Sequence, residues 1–109
     1  MRSRDLSVLV VLITCPTRRV GERLGRVLVE GRLAACVNVI PGLTSLYRWE
    51  GKVCRNAEAL LVIKTRRRRL PELIARVKEM HPYTVPEIIA LPLSGGSAAF
   101  LSWVRDSTA

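Results

Sequence analysis

Aromatic residues are scarce in this chain, with two tryptophans, two tyrosines and one phenylalanine among 109 residues. None interleaves with the run Arg66-Arg67-Arg68-Arg69, so the ring-and-base alternation of a single-stranded nucleic-acid platform is missing. A nucleic-acid partner is therefore not expected, despite a formal net charge of +9. Histidine is scarcer still, since His81 stands alone. The chain also lacks Gly-x-Ser-x-Gly, a phosphate-cradling glycine loop, His-Glu-x-x-His and any carboxylate pair spaced for acid–base work. Catalysis usually needs a base, an orienting group and a charge stabiliser together, so the chain reads as a non-enzyme.

Cysteine is limited to Cys15, Cys36 and Cys54, an odd number with no Cys-x-x-Cys spacing. That speaks against a disulfide framework or a zinc knuckle and suits a reducing compartment. There is no apolar run of about 20 residues, the length a membrane span needs. Arg2 and Arg4 ahead of Leu6 to Ile13 imitate the start of a signal peptide, but no small-x-small cleavage site follows. Thr14 is also a poor stand-in for the small residue expected before a lipidated cysteine at Cys15. The expectation is a cytoplasmic chain with no membrane partner, in which residues 1–5 form a flexible N-terminus.

What is present is an ordered succession of elements, and the 49% apolar content supports a folded core. The length suits a single domain over 1–109. Leu6 to Thr14 is apolar at both alternating sets of positions, as in a strand covered on both faces. Thr17 is placed to cap a helix whose stripe runs through Val20, Leu24, Val27 and Leu28, with Gly31 as its stop. Leu33 to Trp49 reads as a long strand bent at Pro41-Gly42. Glu50-Gly51-Lys52 turns it back into Val53 to Thr65 as an antiparallel hairpin. Pro71 suits the first turn of a second helix with Leu70, Leu73, Ile74, Val77 and Met80 on its apolar side, ending at Pro82. Ile88 to Leu91 is a short strand, and Ser97 opens a terminal helix carrying Phe100, Trp103 and Val104.

This order predicts an α+β, ferredoxin-like βαββαβ sandwich with an antiparallel sheet, a long bent hairpin between its second and third strands, and an extra C-terminal helix. Both main helices of that fold cover one face of the sheet. The doubly apolar first strand therefore calls for a cover on the other face, and another copy of the chain is the economical one.

His81-Pro82-Tyr83-Thr84-Val85-Pro86-Glu87 concentrates the polar recognition chemistry, because two prolines hold the backbone extended and its ring and carboxylate groups in fixed directions. As an ordinary helix end, the same stretch would place His81 against the negative dipole terminus and Tyr83 in half-buried packing. His81 with a thiolate from Cys15 or Cys36 would suit a soft or borderline ion such as copper. As small buried hydrophobes the cysteines need no such role. The tetra-arginine run reads as solvated surface near the start of the second helix.

The stretch from Ala34-Ala35-Cys36-Val37-Asn38 through Tyr47-Arg48-Trp49-Glu50-Gly51-Lys52, then Lys64-Thr65 and His81 to Glu87, resembles the CutA divalent-cation-tolerance family from about Leu9 to Ser107. The resemblance implies a homotrimer of ferredoxin-like subunits, similar in architecture to the PII signalling proteins and joined by their hairpins. It also implies a role in tolerance of copper or other divalent cations, with copper ligands assigned in some members. Of those ligands His81 matches, Met80 stands where a second histidine is found, and the first-strand cysteine position falls at Ile13, with Cys15 two residues on. A second implication is a cleft between subunits lined by Asn38, Trp49, Lys64, His81, Tyr83 and Glu87, suited to a small anionic effector. Alternatively, Trp49 anchors the hairpin tip while Lys64 and Glu87 pair to staple the trimer.

Overall fold

A computed structural model describes residues 7–109; the expectations for residues 1–5 and for Leu6 lie outside them. The chain runs β1 (Val8–Cys15), α1 (Arg18–Glu30), β2 (Cys36–Trp49), β3 (Lys52–Arg66), a 3-10 turn (Arg67–Arg69), α2 (Leu70–Met80), β4 (Ile88–Pro92) and α3 (Ala98–Ser107). The strands lie in the order β2-β3-β1-β4, every neighbour antiparallel. This is the ferredoxin-like arrangement with an added helix.

Local chemistry accounts for the element ends. The Val20 N–H donates to Thr17 Oγ1 at 3.1 Å at the start of α1, and the Phe100 N–H donates to Ser97 Oγ at 3.4 Å at the start of α3. Glu50 and Gly51 both have positive φ, 51° and 79°, which closes the β2–β3 hairpin in two residues. The register of β2 slips between Ile40 and Leu43, where Gly42 takes φ 85° beside Pro41, and the arm beyond this bulge bends away. That arm stretches the molecule to 48 × 28 × 23 Å.

The core lies between the sheet and the helices, where Val11, Ile13, Leu61 and Ile63 pack beneath Leu24, Leu28, Leu73 and Val77. A satellite cluster of Val8, Ala35, Leu101 and Val104 seats α3. The buried stripe of α1 differs from the one expected: Gly21, Leu24, Gly25 and Leu28 are buried, with Val20 and Val27 only half-buried beside them. Two glycines one turn apart remove side chains from the facing side, so the helix settles closer to the sheet and rotates them inward. On α3, Leu101 and Val104 point inward, whereas Phe100 and Trp103 lie on the outer side with ring centroids 5.6 Å apart.

Within the arginine run Arg67 and Arg68 are exposed, as solvated surface should be, whereas Arg66 and Arg69 are half-buried. Arg69 Nε donates to the Thr108 carbonyl at 3.0 Å, and its Nη1 to Glu72 Oε1 at 2.9 Å. The guanidinium thus ties the first turn of α2 to the C-terminal end of α3, whose exposed carbonyls a cation suits.

Beyond the end at Val8, which α3 covers, the opposite face of the sheet is left uncovered by the described residues. Side chains alternate across a strand, so this face carries Val10 and Leu12 of β1, Leu60 and Val62 of β3, and Ile89 and Leu91 of β4. The β1 and β3 members are half-buried, and Ile89 and Leu91 are 49% and 45% exposed.

Candidate functional site

His81 follows the last turn of α2, and Pro82 forces it out of the helix into extended geometry, φ −72° and ψ 135°. The residue is only 7% exposed. The Tyr83 N–H donates to Nδ1 at 3.1 Å, and Nε2 lies 2.8 Å from the Thr14 carbonyl on β1. A backbone N–H can only donate, so Nδ1 accepts and Nε2 carries the hydrogen given to Thr14. The ring therefore locks the segment after α2 onto β1, with Tyr83 tilted against it at a centroid distance of 4.8 Å.

Tyr83 extends the lock. Its hydroxyl donates to Glu58 Oε2 on β3 at 2.6 Å, and Glu58 is 8% exposed. Burial is the main cause raising the Tyr83 pKa above its ordinary 10.0, with the hydrogen bond and the charge of Glu58 adding to it. A phenol kept protonated by the fold contributes stability that is complete below the unfolded value and declines as pH rises above it, because the unfolded chain ionises first. The melting temperature is expected to fall as pH rises past 10, and Tyr83→Phe to flatten that decline; an equally steep decline in the variant would count against the assignment.

Above this lock lies an open groove of about 620 Å³. The hairpin arm supplies Tyr47 and Trp49, the β3 strand Glu58, and the segment after α2 Tyr83 and Glu87. Tyr47 is steadied across the hairpin by donating to Asn56 Oδ1 at 2.8 Å. Of the six residues expected to share a cleft, Trp49, Tyr83 and Glu87 line this groove and His81 braces its floor. Asn38 and Lys64 do not join them within the chain: the Lys64 ammonium donates to Asn38 Oδ1 on the open sheet. The groove consequently has two acids and no base among its lining residues.

The proposed metal ligands fit poorly as a set. Both nitrogens of His81 are spent on the backbone. Cys15 is buried in the core, its thiol 3.4 Å from the Thr17 carbonyl, and desolvation raises its pKa, which disfavours the thiolate a metal requires. Met80 packs against the apolar core. Among the described residues no group of three or more His, Cys, Asp or Glu is arranged to hold a metal ion. His81→Ala is expected to cost about 1–3 kcal/mol of stability, since it strands the Tyr83 N–H and the Thr14 carbonyl. Denaturation should show this loss, while copper titration should show the same affinity as the parent chain; a selective loss of copper binding would reverse the assignment.

Sequence reasoning misses Glu58. The available signal is weak: an acid between Ala57 and Ala59 in a strand that returns through the core. Such a position becomes informative only when Tyr83, 25 residues away in sequence, is seen to meet it.

The family model for CutA1 divalent ion tolerance protein matches residues 9–107. The divalent-cation tolerance protein CutA of Thermus thermophilus is 54% identical over 99 residues, covering 91% of this chain and 96% of that one. A solved structure of the divalent cation tolerance protein Cut A1 from Thermus thermophilus superposes with a TM-score of 0.92 at 52% identity, covering 94% of this chain and 99% of that one. The chloroplastic protein CutA of Arabidopsis thaliana is 47% identical over 97% of this chain, which spans only 58% of that longer relative. A structure described as the periplasmic divalent cation tolerance protein CutA of Archaeoglobus fulgidus has a TM-score of 0.91 at 37% identity, covering 94% and 99% of the two chains. The chain belongs to the CutA1 divalent ion tolerance family, which is named for tolerance rather than for an enzymatic activity. Among the described residues no helix is long and apolar enough to cross a membrane.

Proposed function

We propose that the chain acts as a cytoplasmic, non-enzymatic homotrimer in the response to divalent cations, working as a sensor that takes a small ligand in the groove beneath its hairpin arm. The observation that carries this reading is the uncovered apolar sheet face of Val10, Leu12, Leu60, Val62, Ile89 and Leu91. A contiguous patch of this kind marks an assembly surface. The projecting arm and the unpaired outer edge of β2 supply two different surfaces on each copy, and unlike surfaces form a ring when the rotation between copies closes. Three copies is the number that the family resemblance implies.

Direct copper binding is a secondary part of the expectation and gains no support from His81, Cys15 and Met80 as they are disposed. The anionic-effector alternative belongs to a cleft between subunits, where a neighbouring copy could bring its Lys64. That is a different site from the groove within one chain, which has two acids and no base. Static light scattering at micromolar protein tests the assembly: the expected mass is three times the chain's 12.2 kDa, and a single-chain mass overturns it. Thermal-shift screening of small molecules, repeated on Trp49→Ala, tests the groove.

A further inference from the structure

The geometry points to a small organic cation, an ammonium or the end of a polyamine, as the ligand of this groove, held by Glu58 and Glu87 against the rings of Tyr47, Trp49 and Tyr83. This rests on the reading of the groove as a ligand site and names the chemistry it selects. Glu58 carries the argument. As a residue it is only 8% exposed and it lines the groove, where Tyr83 donates a neutral hydroxyl to Oε2 while Oε1 stays open to the groove rather than sealed in the interior. A carboxylate oxygen facing a partly enclosed groove gains a charge-assisted hydrogen bond when an ammonium enters. Among the described residues no lysine or arginine lines the groove, and Glu87 adds a second negative charge there. A cation entering the groove would therefore meet two acids and no base among these residues.

The walls decide what kind of cation. Trp49 and Tyr47 remain 47% and 42% exposed on the arm. Aromatic faces attract organic ammonium groups through the ring quadrupole, and flat carbon surfaces also cover the methyl or methylene groups such ions carry. A hard divalent ion asks instead for six or more oxygen ligands. The groove offers two carboxylates, one of them already engaged by Tyr83, and no cluster of three potential ligands exists among the described residues. Anions would meet two like charges, and a neutral molecule would forgo the pairing with Glu58 and Glu87.

The test is calorimetry on the assembled full chain with tetramethylammonium chloride and 1,4-diaminobutane. Neutral tert-butyl alcohol, citrate and inorganic phosphate serve as comparators. At least one cation is expected to saturate the site while tert-butyl alcohol does not. Glu58→Gln, which still accepts from Tyr83, and the exposed Glu87→Gln should each weaken binding about tenfold, as should Trp49→Ala. Glu87→Gln should retain the parent mass and melting temperature. Equal binding of the alcohol, or indifference to both Gln variants, overturns the proposal. Saturation by citrate or phosphate that is lost in Trp49→Ala overturns the cation while leaving the groove a ligand site. Absence of binding by every probe overturns both readings. Loss of assembly in Glu58→Gln without cation binding to the parent chain assigns the carboxylate to a base of a neighbouring copy, and again overturns the proposal.

Discussion

Leu12→Arg is expected to release single chains from the assembly at micromolar concentration while leaving the far-ultraviolet dichroism of the fold intact. Leu12 occupies the middle of the uncovered sheet face, paired in register with Val62 of β3 and Ile89 of β4. In an isolated chain it is only half-buried, so a long arginine can lift its guanidinium into water. Between two packed sheets the same charge loses its water without gaining a partner, and the nearest charge on that face is another cation, Lys64. Desolvating an unpaired ion costs several kcal/mol, and a ring repeats that cost in every copy. Light scattering and gel filtration read the result. An unchanged mass down to nanomolar protein would show that this face is not the one the copies share.

Gly21→Val should be the most damaging single substitution on α1, lowering stability by about 3 kcal/mol. A Cβ at this position would stand 2.9 Å from Leu61 Cδ2, 3.2 Å from Cys15 Sγ and 3.2 Å from Val39 Cγ1. Leu61 and Cys15 are fully buried, so neither can swing aside, and valine adds two more methyl groups to the collision. The helix must lift off the sheet, opening space around Leu24 and Leu28. The helix-propensity gain over glycine is only a few tenths of a kcal/mol and does not offset this. Gly25→Ala is the milder control, because its nearest neighbour, Val37 Cγ1 at 3.1 Å, belongs to a half-buried side chain. Denaturant unfolding at fixed protomer concentration keeps assembly from masking the difference. A loss below 1 kcal/mol for Gly21→Val would mean that the helix has slack.

Much of the fold is legible in the sequence because its signals are local. Thr17 and Ser97 cap the helices that follow them, and Glu50-Gly51 makes the turn between the two long strands. Pro41-Gly42 bends β2 at the expected place, since a missing N–H and a positive φ disturb any ladder they enter. The α1 stripe departs from its pattern because a hydrophobic pattern counts side chains, whereas Gly21 and Gly25 are buried for having none. Arg69 cannot be told from its three neighbours in sequence, as its partner is a carbonyl 39 residues further on.

The site divides in the same way. The prolines around His81 and Tyr83 announce a held segment, and the structure holds it through Thr14 and Glu58. By itself the sequence determined the order of the elements, their caps and turns, and the apolar first strand, because each follows from chain geometry over a few residues. Only the tertiary structure decided that His81 spends both nitrogens on backbone, that Lys64 turns to Asn38, and that Glu58 joins Glu87 in a groove without a base. Those outcomes depend on which distant strands lie side by side, and on which face of the sheet each side chain falls.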